Sequence, residues 1–257
     1  MNFNIQPINF NIANVRFKSN SNISQPKGSD LERNPKMDSF EMSIGYVNDA
    51  HGQTNNMMRI LSGIKGDLKL SAGDNDIGDE KNDAIHQATT KFLNIADIKA
   101  SALGNHEIDM SQKDCIDAIN RFNGLMLSIN FEQIPLEEQD PEDIQKYGRA
   151  DLKNHLTKSA VVEVKGEKIG LIGASPIDMM SRLTHPNYYT DCSVDDLDDT
   201  IELIQNEIDK FKEQNINKVI LVSHLGHKAD KFVAENIDGI DVIVGGHTHE
   251  LIKDIKE

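Results

Sequence analysis

Cysteine is nearly absent: the 257 residues hold Cys115 and Cys192 and no other. Two thiols so far apart give neither a disulfide framework nor a cysteine-ligated zinc module, so any metal must be held by His, Asp, Glu or Asn. Cations are also scarce. With 27 Lys and Arg against 42 Asp and Glu, the formal charge is −15, which argues against a general binder of nucleic acid or anionic membranes. No apolar run approaches the roughly 20 residues that span a bilayer, and the mean hydropathy is −0.48. The expectation is a soluble protein with neither nucleic acid nor membrane as partner. The amino-terminal stretch has no basic n-region, no continuous apolar h-region and no small-residue cleavage site, so a secretory signal is not read there. The cytoplasm is the default expectation. No internal repeat is visible.

What is present falls into two parts. Residues 1–40 are rich in Asn, Ser and charge and carry Pro7, Pro26 and Pro35; they read as an Asn-rich flexible leader. Phe3, Ile5, Ile8, Phe10, Ile12, Val15 and Phe17 alternate loosely within it, a pattern also open to a short docked strand. Residues 41–257 read as one domain. There, short apolar runs at Ser43–Val47, Leu68–Ala72, Ala100–Leu103, Ala160–Val164, Ile169–Gly173, Val219–Val222 and Val242–Val244 look like strands buried on both faces. Val194, Leu197, Ile201, Ile204, Ile208 and Phe211 recur at spacings of three and four, one apolar stripe on a helix. Ala84, Ile85, Ala88, Phe92 and Leu93 form a weaker stripe. Strands alternating with helices predict a layered α/β fold. Residues 132–158, with little periodicity, read as an acidic surface insertion.

Chemistry concentrates where the strands end. Six of the nine histidines lie in four clusters: His51, His106, His224 with His227, and His247 with His249. Five strands run into Asn48-Asp49-Ala50-His51-Gly52, Gly73-Asp74, Gly104-Asn105-His106-Glu107, Ser223-His224-Leu225-Gly226-His227 and Gly245-Gly246-His247-Thr248-His249. Ligands of α/β sheets gather outside the carboxyl ends of the strands, so the five clusters should converge on one crevice. Each cluster alone is weak, since Gly-Asp or Asn-His commonly serves an ordinary turn. Their joint occurrence, in order, is the signal. His86, His155 and His185 lie outside any motif and read as surface or structural; Glu107, Asp76 and His227 read as solvated or ligand-orienting groups.

In these motifs the chain resembles the calcineurin-like metallophosphoesterases, and in particular the catalytic domain of their 5′-nucleotidase and UDP-sugar hydrolase branch. The likeness covers about residues 43–250 and includes Ile240-Asp241-Val242-Ile243-Val244 and Lys168-Ile169-Gly170-Leu171-Ile172-Gly173. It implies central β-sheets flanked by helices, and a hydrolase of phosphate monoesters, foremost nucleotides, working through attack by a metal-bridging hydroxide. It implies two divalent metal ions, one held by Asp49, His51, Asp74 and His249 and the second by Asp74, Asn105, His224 and His247. His106 would face the phosphate as a catalytic group, with Asp109 fixing its ring. An oxygen and nitrogen donor set without thiolate suits Mn, Zn, Fe, Co or Ni and does not choose among them. Two divalent ions also reconcile the −15 charge with an anionic substrate.

Two features depart from that pattern. The link from Asp49 to Asp74 is short for the branch, and the chain stops eight residues after His249, where such members continue with further strands and a nucleoside-recognising domain. The expectation is therefore a catalytic domain truncated at its carboxy-terminal end. The alternatives are a phosphodiesterase or pyrophosphatase acting on cyclic nucleotides or UDP-sugars, or an inactive metal-binding module.

Overall fold

The computed structural model describes residues 10–17, 40–53, 57, 63–76 and 83–250. Two main sheets carry the architecture. In the first, β2 (Phe40–Val47), β3 (Leu68–Ser71), β4 (Ala100–Ala102) and β5 (Leu125–Leu127) are parallel neighbours in that order, and β1 (Phe10–Phe17) runs antiparallel along the free edge of β2. In the second, β7 (Ser159–Val164), β8 (Glu167–Ala174), β10 (Val219–Ser223) and β11 (Val242–Gly245) are ordered β11-β10-β8-β7. β8, β10 and β11 are parallel; β7 returns antiparallel through Lys165-Gly166. Both turn residues have positive φ, 52° and 82°, as a two-residue hairpin turn matching the strand twist demands.

The inner faces of the two sheets pack on each other. Ile44, Leu70 and Ala100 share one buried cluster with Ile169, Leu171, Ile220 and Val244. Outside the second sheet, Ile172 and Leu221 pack against Ile204, Ile208 and Phe211 of α5 (Leu197–Glu213) and Val233 of α6 (His227–Asn236). Outside the first, Val47 meets Leu93 and Ala96 of α1 (Asp83–Ala96). The result is helix, sheet, sheet, helix, with both faces of most strands buried, which is why their sequences read as continuous apolar runs.

Several boundaries move. Val194, placed on the helical stripe, lies instead in β9 (Cys192–Val194), because Asp196 caps the helix by accepting the Asp199 N–H at 3.0 Å. Part of the leader is ordered: Phe10–Phe17 pair residue for residue with Val47–Phe40, since β2 otherwise ends the sheet in a row of unpaired backbone groups. The other residues of 1–39 lie outside the described residues.

The stretch read as an acidic surface insertion is tied to the interior. Its first residues form β6 (Phe131–Gln133), antiparallel to β9, and it carries α3 (Pro141–Tyr147), capped by Asp140 and closed at Gly148 with φ 60°. Charge at its surface hid a buried polar knot. Asp191 accepts from the side-chain amides of Gln112, Gln133 and Gln139 at 2.8, 2.9 and 3.0 Å, with Arg149 Nε 3.5 Å away. Gln112 opens α2 (Gln112–Arg121), and the Tyr189 hydroxyl donates to the Met110 carbonyl at 2.8 Å, so the knot fixes the segment that follows Asp109. Removing one partner from a buried ion pair leaves the other uncompensated. Asp191→Ala should therefore lower the unfolding free energy by about 3–5 kcal/mol, measured by urea denaturation; a loss under about 1 kcal/mol would mean the knot is dispensable.

Candidate metal centre

The parallel registers bring the carboxyl ends of the strands level: Val47 opposite Ser71, and Ser223 opposite both Ala174 and Gly245. Loops after β2, β3 and β4 of one sheet then face loops after β10 and β11 of the other. The β2 and β3 loops are zipped together, with the Asp49, His51 and Gly52 N–H groups donating to the carbonyls of Gly73, Asp74 and Asn75 at 3.0, 3.0 and 2.8 Å. The second sheet joins them where the His247 N–H donates to Asp49 Oδ1 at 3.0 Å.

Backbone conformation marks the same positions. Among the described residues, eight non-glycine residues have positive φ, and five of them are Asp49 (51°), His51 (44°), Asp74 (51°), His247 (80°) and His249 (54°). Left-handed conformations cost an L-residue free energy and persist where surrounding structure over-determines them, a pattern typical of functional sites.

The side chains converge into three groups whose ligand atoms lie within 4.8 Å of one another: Asp49 with His51 and His249, His51 with Asp74 and His106, and Asp74 with His224 and His247. His51 Nε2 faces His249 Nε2 at 3.0 Å, and Asp49 Oδ1 is 3.4 Å from His249 Nε2. His224 is fully buried. Its Nδ1 donates to the Ala72 carbonyl at 2.5 Å, and Nε2 points at Asp74 Oδ2, 3.0 Å away. With Nδ1 engaged, a neutral His224 turns a lone pair on Nε2 toward a carboxylate, and two electron-rich atoms at that range need a cation between them. Asn105 Oδ1 is buried with no hydrogen-bond partner, a carbonyl oxygen waiting for a positive charge. These nitrogen and oxygen donors fit divalent metal ions.

Electrostatics without metal agree. Burial opposes a charge on His224, but Asp74 beside it pushes its pKa up to about 9. Burial likewise opposes the Asp74 carboxylate, yet His224 and His106 hold it well below the usual carboxylate range. Burial lowers the pKa of His51 and of His247, keeping both neutral and ligand-competent.

His106 sits beside this set, its ring edge-on to His51 with centroids 4.7 Å apart. His106 Nδ1 lies 2.7 Å from Asp109 Oδ2, and Asp109 Oδ1 accepts the Thr184 N–H at 2.8 Å. Burial lowers its pKa, but the Asp109 hydrogen bond and Asp74 more than reverse that, leaving it raised.

All nine residues singled out for catalysis and metal are thus placed at one edge between the sheets. Glu107 resolves to one of its two readings: buried rather than solvated, it accepts the N–H groups of Gly104, Asp74 and Asn75 at 2.9, 2.9 and 2.6 Å. That desolvation, with Asp74 nearby, pushes its pKa up to about 7. Asp76 is also buried, 2.6 Å from His86 Nδ1, so His86 is structural and not a surface residue. The sequence reading missed Asp178, whose Oδ1 is 3.3 Å from His247 Nε2. It follows β8, a parallel strand opening on the same edge, and that position was the available signal.

Gly104 shows how tightly the loops nest. A β-carbon there would overlap Asp74 Oδ1 and stand 2.6 Å from the Asp74 nitrogen and 2.8 Å from Glu107 Oε2. Gly104→Ala must displace Asp74 and is expected to weaken divalent-metal affinity by about 10–100-fold, read by calorimetric titration; unchanged affinity would show that Asp74 can shift freely.

The family model for Calcineurin-like phosphoesterase matches residues 42–251. The chain belongs to the calcineurin-like phosphoesterase family. The family is one of metal-dependent hydrolases of phosphoric esters, and the chain also shares sequence with curated relatives. It is 32% identical over 162 residues to a 5′-nucleotidase of Diplobatis ommata, covering 63% of this chain and 25% of the relative. It is 32% identical over 248 residues to an apyrase of Anopheles gambiae, covering 84% and 40%. The crystal structure of a 5′-nucleotidase precursor from Thermus thermophilus superposes with a TM-score of 0.64 at 25% identity, covering 82% of this chain and 42% of that one. The chain thus spans less than half the length of these relatives. Among its described residues no helix is long and apolar enough to cross a membrane.

Proposed function

We propose that the phosphoesterase hydrolyses phosphate monoesters of nucleotides, with two divalent ions held by Asp49, His51, Asp74 and His249 and by Asp74, Asn105, His224 and His247. The observation that carries this reading is the buried His224 Nε2 facing Asp74 Oδ2 at 3.0 Å with its Nδ1 already engaged. A pair of divalent ions supplies Lewis acidity and neutralises charge on the phosphoryl oxygens.

The chain's own residues do the rest. Asp74 belongs to two of the three donor groups, and a carboxylate with two oxygens suits a position shared between cations. His106 is the proton donor. With Nδ1 tied to Asp109, Nε2 is the ring atom left to hand a proton to the leaving-group oxygen. Asp109, held by the Thr184 N–H, keeps the ring in that orientation. The nucleotide as substrate rests on the names of the relatives, 5′-nucleotidase and apyrase.

The purified chain with added Mn²⁺ should turn over an aryl phosphate and nucleoside monophosphates, with slower turnover of an aryl diester. Absence of metal-dependent turnover on every ester would overturn the reading. Faster diester cleavage would move it to the phosphodiesterases.

A further inference from the structure

One carboxylate reaches the site from a strand end that the histidine clusters do not mark. β8 ends at Ala174, and four residues later Asp178 precedes α4 (Met179–Arg182). Asp178 Oδ1 is at ion-pair distance, 3.3 Å, from His247 Nε2, while its Oδ2 accepts from Arg182 Nε at 2.5 Å. The His247 side chain is 10% exposed and that of Asp178 39%, so the pair forms the rim of the centre. The same short segment also grips the opposite side, since the Thr184 N–H donates to Asp109.

A neutral imidazole carries one N–H, and the group beside it decides which nitrogen holds it. A carboxylate next to Nε2 draws the proton to Nε2 and leaves the lone pair on Nδ1. Asp178 is the carboxylate at ion-pair distance from Nε2, while the His247 backbone N–H is engaged separately by Asp49. Metal-ligating histidines characteristically give their second nitrogen's proton to such a partner, which fixes ring orientation and raises ligand basicity.

We propose that Asp178 is a positioning residue for His247: it takes the Nε2 proton, presents Nδ1 to a divalent cation, and is itself held by Arg182. This rests on the reading of His247 as a metal ligand. Arg182 turns the rim from an unrestrained carboxylate into a fixed one, so Asp178 does not swing inward to compete for the cation.

The test uses the full chain loaded with Zn²⁺, a diamagnetic ion, and imidazole ¹⁵N NMR. In the wild type, His247 should carry its proton on Nε2 and show a metal-shifted Nδ1. Asp178→Ala should weaken Zn²⁺ binding about 10–100-fold and relax the tautomer preference of metal-free His247, whereas Asp178→Asn, which keeps an acceptor oxygen, should stay within about threefold of wild type. A wild-type His247 protonated on Nδ1 overturns the proposal, even if Asp178→Ala fails to fold. So does an Ala variant that binds as tightly as wild type, or an Asn variant as weak as Ala, which would make Asp178 a ligand and not an orienting group. Neither measurement needs turnover. Zinc bound through Nδ1 without ester hydrolysis would sink the proposed function alone, and zinc bound through Nε2 would sink this inference alone.

Discussion

Replacing His106 with asparagine is expected to lower turnover of nucleoside monophosphates by about 10²–10⁴-fold, the range over which positioned proton donors act, while metal content stays at the wild-type level. Asparagine retains a hydrogen-bonding amide but cannot deliver a proton. The metal measurement matters because His106 also falls in a donor group with His51 and Asp74. If His106→Asn loses an ion along with activity, the residue is a ligand. If it keeps both ions and loses only activity, it is the proton donor whose Nδ1 is engaged by Asp109 at 2.7 Å. Undiminished turnover would remove it from the reaction.

The second large effect concerns stability with and without metal. In the metal-free protein His224 has a pKa of about 9 against its ordinary 6.5. A group that binds its proton more tightly when folded stabilises the fold fully below the unfolded pKa and loses that contribution as pH rises through the folded one. The metal-free chain should therefore weaken between pH 6.5 and about 9. Asp74, depressed below the carboxylate range, adds stability that is lost only on acidification. Divalent ions reverse the slope, because they require the unprotonated imidazole and displace that proton. At free metal a hundredfold above Kd, each site adds about 2.7 kcal/mol, which for a domain of this size raises Tm by roughly 5–10 °C. Melting curves in chelator and in excess Mn²⁺ across that pH range should thus diverge as pH rises. Parallel curves would mean that the metal does not compete for the His224 proton.

The convergence of these side chains was legible in the sequence because each part is local: a buried strand spelled in apolar residues, a glycine, then a donor side chain. The strands that carry it appear within a few residues of their expected bounds, as do α1 and α5. What the sequence concealed depends on distant partners. β6 and β9 are three residues each, too short for periodicity, and exist because a neighbouring strand is there to pair with. β1 was ambiguous for the same reason. The sequence leaves Glu107 between a solvated and an orienting role, which three backbone N–H groups from two loops decide. Asp191 and its glutamines, spread over residues 112–191, have no signature as a group. Asp178 stands after β8 without the glycine or histidine that flags the other strand ends.

The meeting of Asp49 with His247 and His249 has a consequence for how the protein is made. A chain is synthesised from its amino terminus, and these partners are 198 residues or more apart in sequence. The first sheet can pair as soon as residue 127 has emerged from the ribosome, whereas His224 follows β10 and His247 and His249 follow β11. On the proposed ligand set, metal loading is a late event that waits for β11 to dock, and a chain with only its first sheet made carries half of that set: Asp49, His51, Asp74 and Asn105 at one sheet edge, with His224, His247 and His249 still to come.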